Sequence, residues 1–251
     1  AQTLAVLING SDLGLSSSVS VLTGAPSPTT SSISIASSTV TSGQAVTVTA
    51  TIKDDNNNPV TGGVAITFSK TGGTSTGTFG SVTNAGNGVY TVDYTGVTAG
   101  TAQTISVLTD GSALGPSTTV SVNAAAPSGP NSSLTISSNS ITSGQTATLT
   151  ATLRDLNNNP ISSGVTVTFT KTGGTSTGTY SSVVNQGSGV YTTTYTGIVA
   201  GSAQTLEVLA NATSLSLTQN ITVNVGAPSV ANSSISIASG TVTSGQAVTV
   251  T

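Results

Sequence analysis

Apolar and polar residues alternate along short stretches of this chain, and the alternation keeps returning. Ala45–Ile52 reads AVTVTATI and Val165–Thr170 reads VTVTFT, with an apolar side chain at every second position and Thr between. A period of two marks a strand with one buried face, because successive side chains point to opposite sides of the backbone. Between these stretches Gly, Asn, Asp and Pro cluster as turn formers. No segment carries a helical period, and no apolar run approaches the ~20 residues of a membrane-spanning helix. The pattern predicts an all-β protein.

The strands belong to a repeat. SSISIASSTVTSGQAVTVTA from Ser31 returns as SSLTISSNSITSGQTATLTA from Ser132 and as SSISIASGTVTSGQAVTVT from Ser233, at an offset of 101 residues each time. AQTLAVL at Ala1 keeps the same register with AQTISVL at Ala102 and AQTLEVL at Ala203. The reading is therefore residues 1–27 as the last part of one repeat, 28–128 and 129–229 as complete repeats, and 230–251 as the beginning of the next. Such a chain is expected to be a window of a longer tandem array. Pro26, Pro127 and Pro228 occupy equivalent places in the connections. Short proline-bearing links predict a semi-rigid extended rod.

Each repeat holds about seven short strands in about a hundred residues, the size of an Ig-like β-sandwich. In the second copy they are expected at 134–137, 146–153, 165–170, 177–184, 190–195, 203–210 and 217–223. Val165, Val167 and Phe169 share one face, as do Tyr191, Thr193 and Tyr195. The aromatics read as packing residues.

Composition removes most chemistry. Charged residues are 4% of the 251, the net charge is −3, and His, Cys, Met and Trp are absent. Without His and Cys there is no Ser-His-Asp or Cys-His nucleophile, no zinc site of the usual ligands and no haem or iron–sulfur ligation. Four Lys and Arg in all cannot neutralise a run of phosphates, which argues against nucleic acid or an anionic membrane as partner. Apolar residues at 35%, regularly placed, argue equally against disorder.

Three candidates pass this filter, and one of them, glycosylation at the Asn-x-Ser/Thr triplets beginning at Asn9, Asn131, Asn211, Asn220 and Asn232, rests on triplets that a chain this rich in Ser and Thr produces by chance. The stretch DDNNNPVTGG from Asp54 returns as DLNNNPISSG from Asp155, and its oxygens could ligate calcium, with Asp54 and Asp155 as the anionic ligands. Yet Asp55 becomes Leu156, and Asp110 becomes Asn211 and Asn9. Loss of charge from copy to copy favours a turn, with the Asp accepting following amides, the Asn residues tolerating left-handed backbone and Pro59 and Pro160 leading into the next strand. The second candidate is an isopeptide crosslink, Lys70 to Asn123 beside Asp54, and Lys171 to Asn224 beside Asp155. Against it, a strand-end Lys usually extends its ammonium into water. Catalysis by paired carboxylates is disfavoured, since only one acidic position recurs in both complete copies. A carbohydrate-binding module is the rival reading, with Tyr90, Tyr94, Tyr191 and Tyr195 as a stacking strip. Their place on an alternating strand favours packing.

The order of these motifs resembles a known family. TSGQAVTVTATIKDDNNNPVTGGVAITFS, a Gly/Thr-rich stretch, then NAGNGVYTVDYTGVTAGTAQTISV is similar to the bacterial Ig-like repeats of the invasin and intimin class, the Big_1 type. The resemblance covers both complete copies and implies an extracellular, structural part of a bacterial surface protein. It also implies that a host or surface ligand is bound by a domain outside this sequence. The uncharged Ser/Thr surface adds the expectation that neighbouring repeats and other copies of the chain are partners, in a stalk or in a fibre, sheath or surface layer.

Overall fold

A computed structural model describes all residues from Ala1 to Thr251. Outside the strands and loops there are only two single-turn 3₁₀ segments, Gly129–Asn131 and Val230–Asn232, and no helix is long and apolar enough to cross a membrane. The chain divides into two compact units, Ala1–Ala126 with Arg154–Ile161, and Pro127–Leu153 with Ser162–Thr251.

In the first unit β1 (Gln2–Ile8) and β2 (Ser11–Val19) form a hairpin. The sandwich follows as β3 (Ser32–Ile35), β4 (Thr39–Thr41), β5 (Ala45–Thr51), β6 (Ile66–Thr71), β7 (Thr76–Phe79), β8 (Thr83–Gly86), β9 (Val89–Thr98), β10 (Gly100–Thr109) and β11 (Ser112–Asn123). One sheet runs β3-β5-β9-β7 with β8 also on β9, and the other runs β4-β11-β10-β6. The second unit repeats this with β12 (Ser133–Ile136), β13 (Ser140–Thr142), β14 (Thr146–Thr152), β15 (Val167–Thr172), β16 (Thr177–Tyr180), β17 (Val184–Gly187), β18 (Val190–Val199), β19 (Gly201–Ala210) and β20 (Thr213–Asn224). Its sheets run β12-β14-β18-β16, with β17 on β18, and β13-β20-β19-β15.

The period of two becomes the core directly. In β5 the side chains of Val46, Val48 and Ala50 are buried, and the threonines between them are not. Val48, Val92 and Tyr94 from one sheet meet Ile105, Val120 and Val122 from the other. In the second unit Leu149, Tyr195, Leu206, Val208 and Ile221 are all fully buried. Each such aliphatic side chain stabilises the fold by roughly 1.5–3 kcal/mol relative to exposure. The tyrosine hydroxyls are also satisfied. Tyr94 donates to Gln103 Oε1 at 2.9 Å and Tyr195 to Gln204 Oε1 at 2.7 Å, while Phe79 and Tyr180 stand edge-on to these rings.

Three features differ from the sequence reading. β4 and β13 have three residues each and pair in parallel with β11 and β20, too short to show alternation. The strand expected over 177–184 is two strands, β16 and β17. Tyr180 lies opposite Tyr195 and Val184 opposite Thr192, so the residues between them outnumber those they face, and a bulge breaks the ladder. Val165 also lies ahead of β15, which begins at Val167.

Tight packing around the tyrosines gives a prediction. A Cβ on Gly77 would overlap the Tyr94 ring and the Thr95 carbonyl, whereas one on Gly62 would meet open space. Gly77→Ala should lower stability in urea unfolding by about 1–3 kcal/mol, and Gly62→Ala should stay within about 0.5 kcal/mol of the parent.

Candidate functional site

The Asp-x-Asn-x-Asn-Pro turn is organised around its buried carboxylate. Asp54 is 3% exposed. Its Oδ1 accepts the amides of Asn56 and Asn58, both at 2.9 Å, and its Oδ2 accepts Gly24 N–H at 2.8 Å and Asn58 Nδ2 at 2.9 Å. Asn57 adopts the left-handed conformation at φ 64° and returns its amide to the Asp54 carbonyl at 3.0 Å. Asn is one of the few residues that takes this conformation readily. Pro59 then pairs with Lys53 in a one-residue bridge that closes the loop.

The second copy of the turn, Arg154–Ile161, belongs to the first unit, and there it does more. Asp155 is fully buried and accepts Ala125 N–H at 3.0 Å, Asn157 N–H at 2.8 Å and Asn159 N–H at 2.9 Å. Asn159, 3% exposed, spends its whole amide. The two hydrogens of its Nδ2 are shared among Ser42 Oγ, Val97 O and Asp155 Oδ2 at 2.9, 2.8 and 2.9 Å, and its Oδ1 accepts Ala99 N–H at 2.8 Å. Asn157 Nδ2 adds a second donor to Ser42 Oγ at 2.7 Å. Ser42 in turn donates to Val97 O at 2.8 Å. Leu156, in the place of Asp55, is 76% exposed, which explains why that position varies.

These contacts set the electrostatics. The Asn58 side chain and the Gly24 amide, with the amides of Asn58 and Asn56, outweigh burial and bring the Asp54 pKa down from 3.8 to about 2. For Asp155 burial is the largest influence and acts upward. The Ala125 amide, the Asn159 side chain and the Asn159 and Asn157 amides overcome it, so its pKa also lies below the ordinary value. Carboxylates held by several N–H groups behave this way without any cation.

The sequence candidates can now be placed. Asp54 and Asp155 point their oxygens at N–H donors, an environment opposite to that of a calcium ligand, which needs several oxygens converging on one point. No cluster of three acidic groups accompanies them. The change from Asp110 to Asn211 is explained as well, since Asp110 Oδ1 accepts Ala65 N–H and Asn211 Oδ1 accepts Thr166 N–H, both at 2.8 Å. Lys70 lies half-buried with its Nζ 5.7 Å from the Phe79 ring centre and 5.9 Å from that of Tyr94. Lys171 donates to Gly178 O. Asn123 pairs with Thr41 in β4, and Asn224 Nδ2 donates to Ser140 Oγ. No Lys–Asn–acid set is assembled from these partners. Tyr90, Tyr94, Tyr191 and Tyr195 are at most 5% exposed, so they form core and not a stacking strip. Sequence reasoning missed Ser42. The signal was present in TSGQ, which recurs unchanged at Thr41, Thr142 and Thr243 alongside the unchanged NNNP.

Comparison with known proteins follows the same lines. The model for invasin domain 3 matches residues 27–125 and again 128–226. Among solved structures, the Escherichia coli adhesin FdeC is similar at 25% identity and a TM-score of 0.62, over 87% of this chain and 70% of that one. InvD of Yersinia pseudotuberculosis is similar at 26% identity and a TM-score of 0.54, over 84% of this chain and 63% of that one. Invasin, a bacterial integrin-binding protein, shares the fold at 24% identity and a TM-score of 0.65, and the chain spans 45% of its length. Comparison with curated protein sequences yields no match.

Three outcomes are expected. Asn159→Ala should cost about 1–3 kcal/mol in urea unfolding, because it strips partners from buried groups, while Asn58→Ala, which loses only the contacts to Asp54, should cost less. Asp54 has a folded pKa of about 2 against 3.8, so its contribution is fully present above the unfolded value and disappears as pH falls toward 2. The midpoint of urea unfolding should therefore fall through that window, and Asp54→Asn should flatten the fall. Intact mass should equal that of the unmodified sequence, with no loss of ammonia at Lys70 or Lys171.

Proposed function

Because the chain belongs to the invasin domain 3 family, we propose that it is an architectural segment of a bacterial surface or extracellular protein, extending that protein while ligand binding resides in another part. The family's domains are structural or adhesive modules, and the chain is not an enzyme. One observation carries the architectural reading over direct adhesion. The side chains with chemistry to offer are already engaged inside the fold: Asp54 and Asp155 by amides, Asn159 by Ser42, Val97 and Ala99, and the core tyrosines by packing and glutamine.

What the alternating strands turn outward is largely hydroxyl. On the outer face of the first sheet Thr49 pairs with Thr91, and in the second unit Thr150 pairs with Thr192 and Thr148 with Thr194. Apart from Asp93 opposite Thr47 in the first unit, such a face is hydrated without charge, so neighbouring copies approach it with little electrostatic repulsion and little dependence on salt. This supports a setting in which many copies stand close together, as stalks or in a fibre, sheath or surface layer. The extracellular location follows from the same reading, in line with the adhesin relatives.

The test is direct. The 251-residue chain on a glycan array, and against host-cell surfaces, should give no binding at micromolar concentration. Saturable micromolar binding to a glycan would replace the architectural reading with the carbohydrate-binding one.

A further inference from the structure

The seat that receives Asn159 in the first unit exists a second time, and there it is open. At an offset of 101 residues Ser42 becomes Ser143, Val97 becomes Ile198, Ala99 becomes Ala200 and Ala125 becomes Gly226. All four equivalents lie in the second unit.

Their geometry is already that of the occupied seat. Ser143 N–H bonds to Asn224 O, Gly144 N–H to Gly197 O and Gln145 N–H to Thr142 O, all at 2.9 Å. In the first unit the matching bonds are Ser42 to Asn123, Gly43 to Gly96 and Gln44 to Thr41, at 2.8, 2.8 and 2.9 Å. Ser143 Oγ donates to the Ile198 carbonyl as Ser42 Oγ does to Val97. The difference is cover. Ser42 is 5% exposed beneath Asn157 and Asn159, whereas Ser143 is exposed and Ile198 is 51% exposed. A polar pocket built to this degree and left open is a binding surface whose ligand can be read from its filled twin.

We propose that the Ser143–Ile198–Ala200 face, with the Gly226 amide, is a docking seat for the Asp-x-Asn-x-Asn-Pro turn of a further repeat following Thr251. In it the last Asn of that turn donates to Ser143 Oγ and Ile198 O and accepts Ala200 N–H, and the Asp accepts Gly226 N–H. The occupant is fixed by two facts. The seat accepts an amide side chain in one defined orientation in the first unit, and Ser233–Thr251 restarts the stretch that in both earlier copies runs into this turn. The shared elements, TSGQ on the receiving side and NNNP on the entering side, are among the parts of the repeat that do not vary where both copies are present. The seat would thus be the register device of the array, joining one repeat to the next by hydrogen bonds that no charged pair or disulfide supplies. The inference rests on the architectural reading, yet a glycan-binding result would leave its measurements unchanged.

Amide hydrogen exchange tests it with an internal control. In the chain of residues 1–251, Ala99 N–H should exchange at least about tenfold more slowly than Ala200 N–H, since only the former is bonded to an Asn side chain. The chain is then extended after Thr251 with a copy of residues 151–229. Ala200 and Gly226 should slow to the rates of Ala99 and Ala125, and Asn159→Ala within the appended copy, or Ser143→Ala, should restore fast exchange at Ala200. Ala200 as slow as Ala99 before extension would overturn the proposal, because the seat would not be open. So would unchanged exchange after extension with the appended core protected. An appended repeat that fails to fold counts against it equally, since its sequence is that of a repeat that folds when its turn is seated.

Discussion

A carboxylate buried in a chain with almost no cations must find its stabilisation among N–H groups, and the turns of this protein are built around that need. Burying an unpaired charge is costly, so Asp54 and Asp155 draw the following backbone into a loop that presents its amides inward. Each also takes an amide from the preceding connection, Gly24 or Ala125. The left-handed Asn57 and Asn158 follow from that demand, because the loop can return its amides to one residue only by reversing direction sharply. Once folded this way, the turn exposes its final Asn as a donor and acceptor, and in the second copy that side chain is fully used.

The sandwich supplies the frame and little else that is specific. Its core comes from Val, Ile, Leu and Tyr at alternate positions, closed by Tyr94–Gln103 and Tyr195–Gln204 across the interior. The polar half of the alternation is Thr, which suits a strand through its branched side chain and suits water through its hydroxyl. The turn is the place where a single side chain, Asn159, engages Ser42, Val97 and Ala99 at once.

Much of this was legible in the sequence, for a physical reason. Alternation is a direct print of a half-buried strand, so AVTVTATI located β5 and its buried residues, and the 101-residue repeat carried the assignment to β14. The reading of DDNNNP as a turn also came from the sequence, because comparing Asp55 with Leu156 separates what the loop needs from what it tolerates. The three-residue β4 and β13 have too few side chains to print a period. The bulge between β16 and β17 depends on what β18 presents opposite, which no local window contains. The seat at Ser42, Val97 and Ala99 was invisible for a related reason: two of its three contacts with Asn159 are backbone groups, whose chemistry is the same at every residue.

The claim that the recurring Asp is a hydrogen-bond acceptor and not a metal ligand is open to one decisive measurement, the carboxyl-carbon NMR titration of Asp54 and Asp155 with and without millimolar calcium. The expected result is an Asp54 pKa near 2, an Asp155 pKa below the ordinary carboxylate value, and the same titration curves when calcium is added. A normal pKa at either residue, or a calcium-dependent shift of its carboxyl resonance, would contradict it.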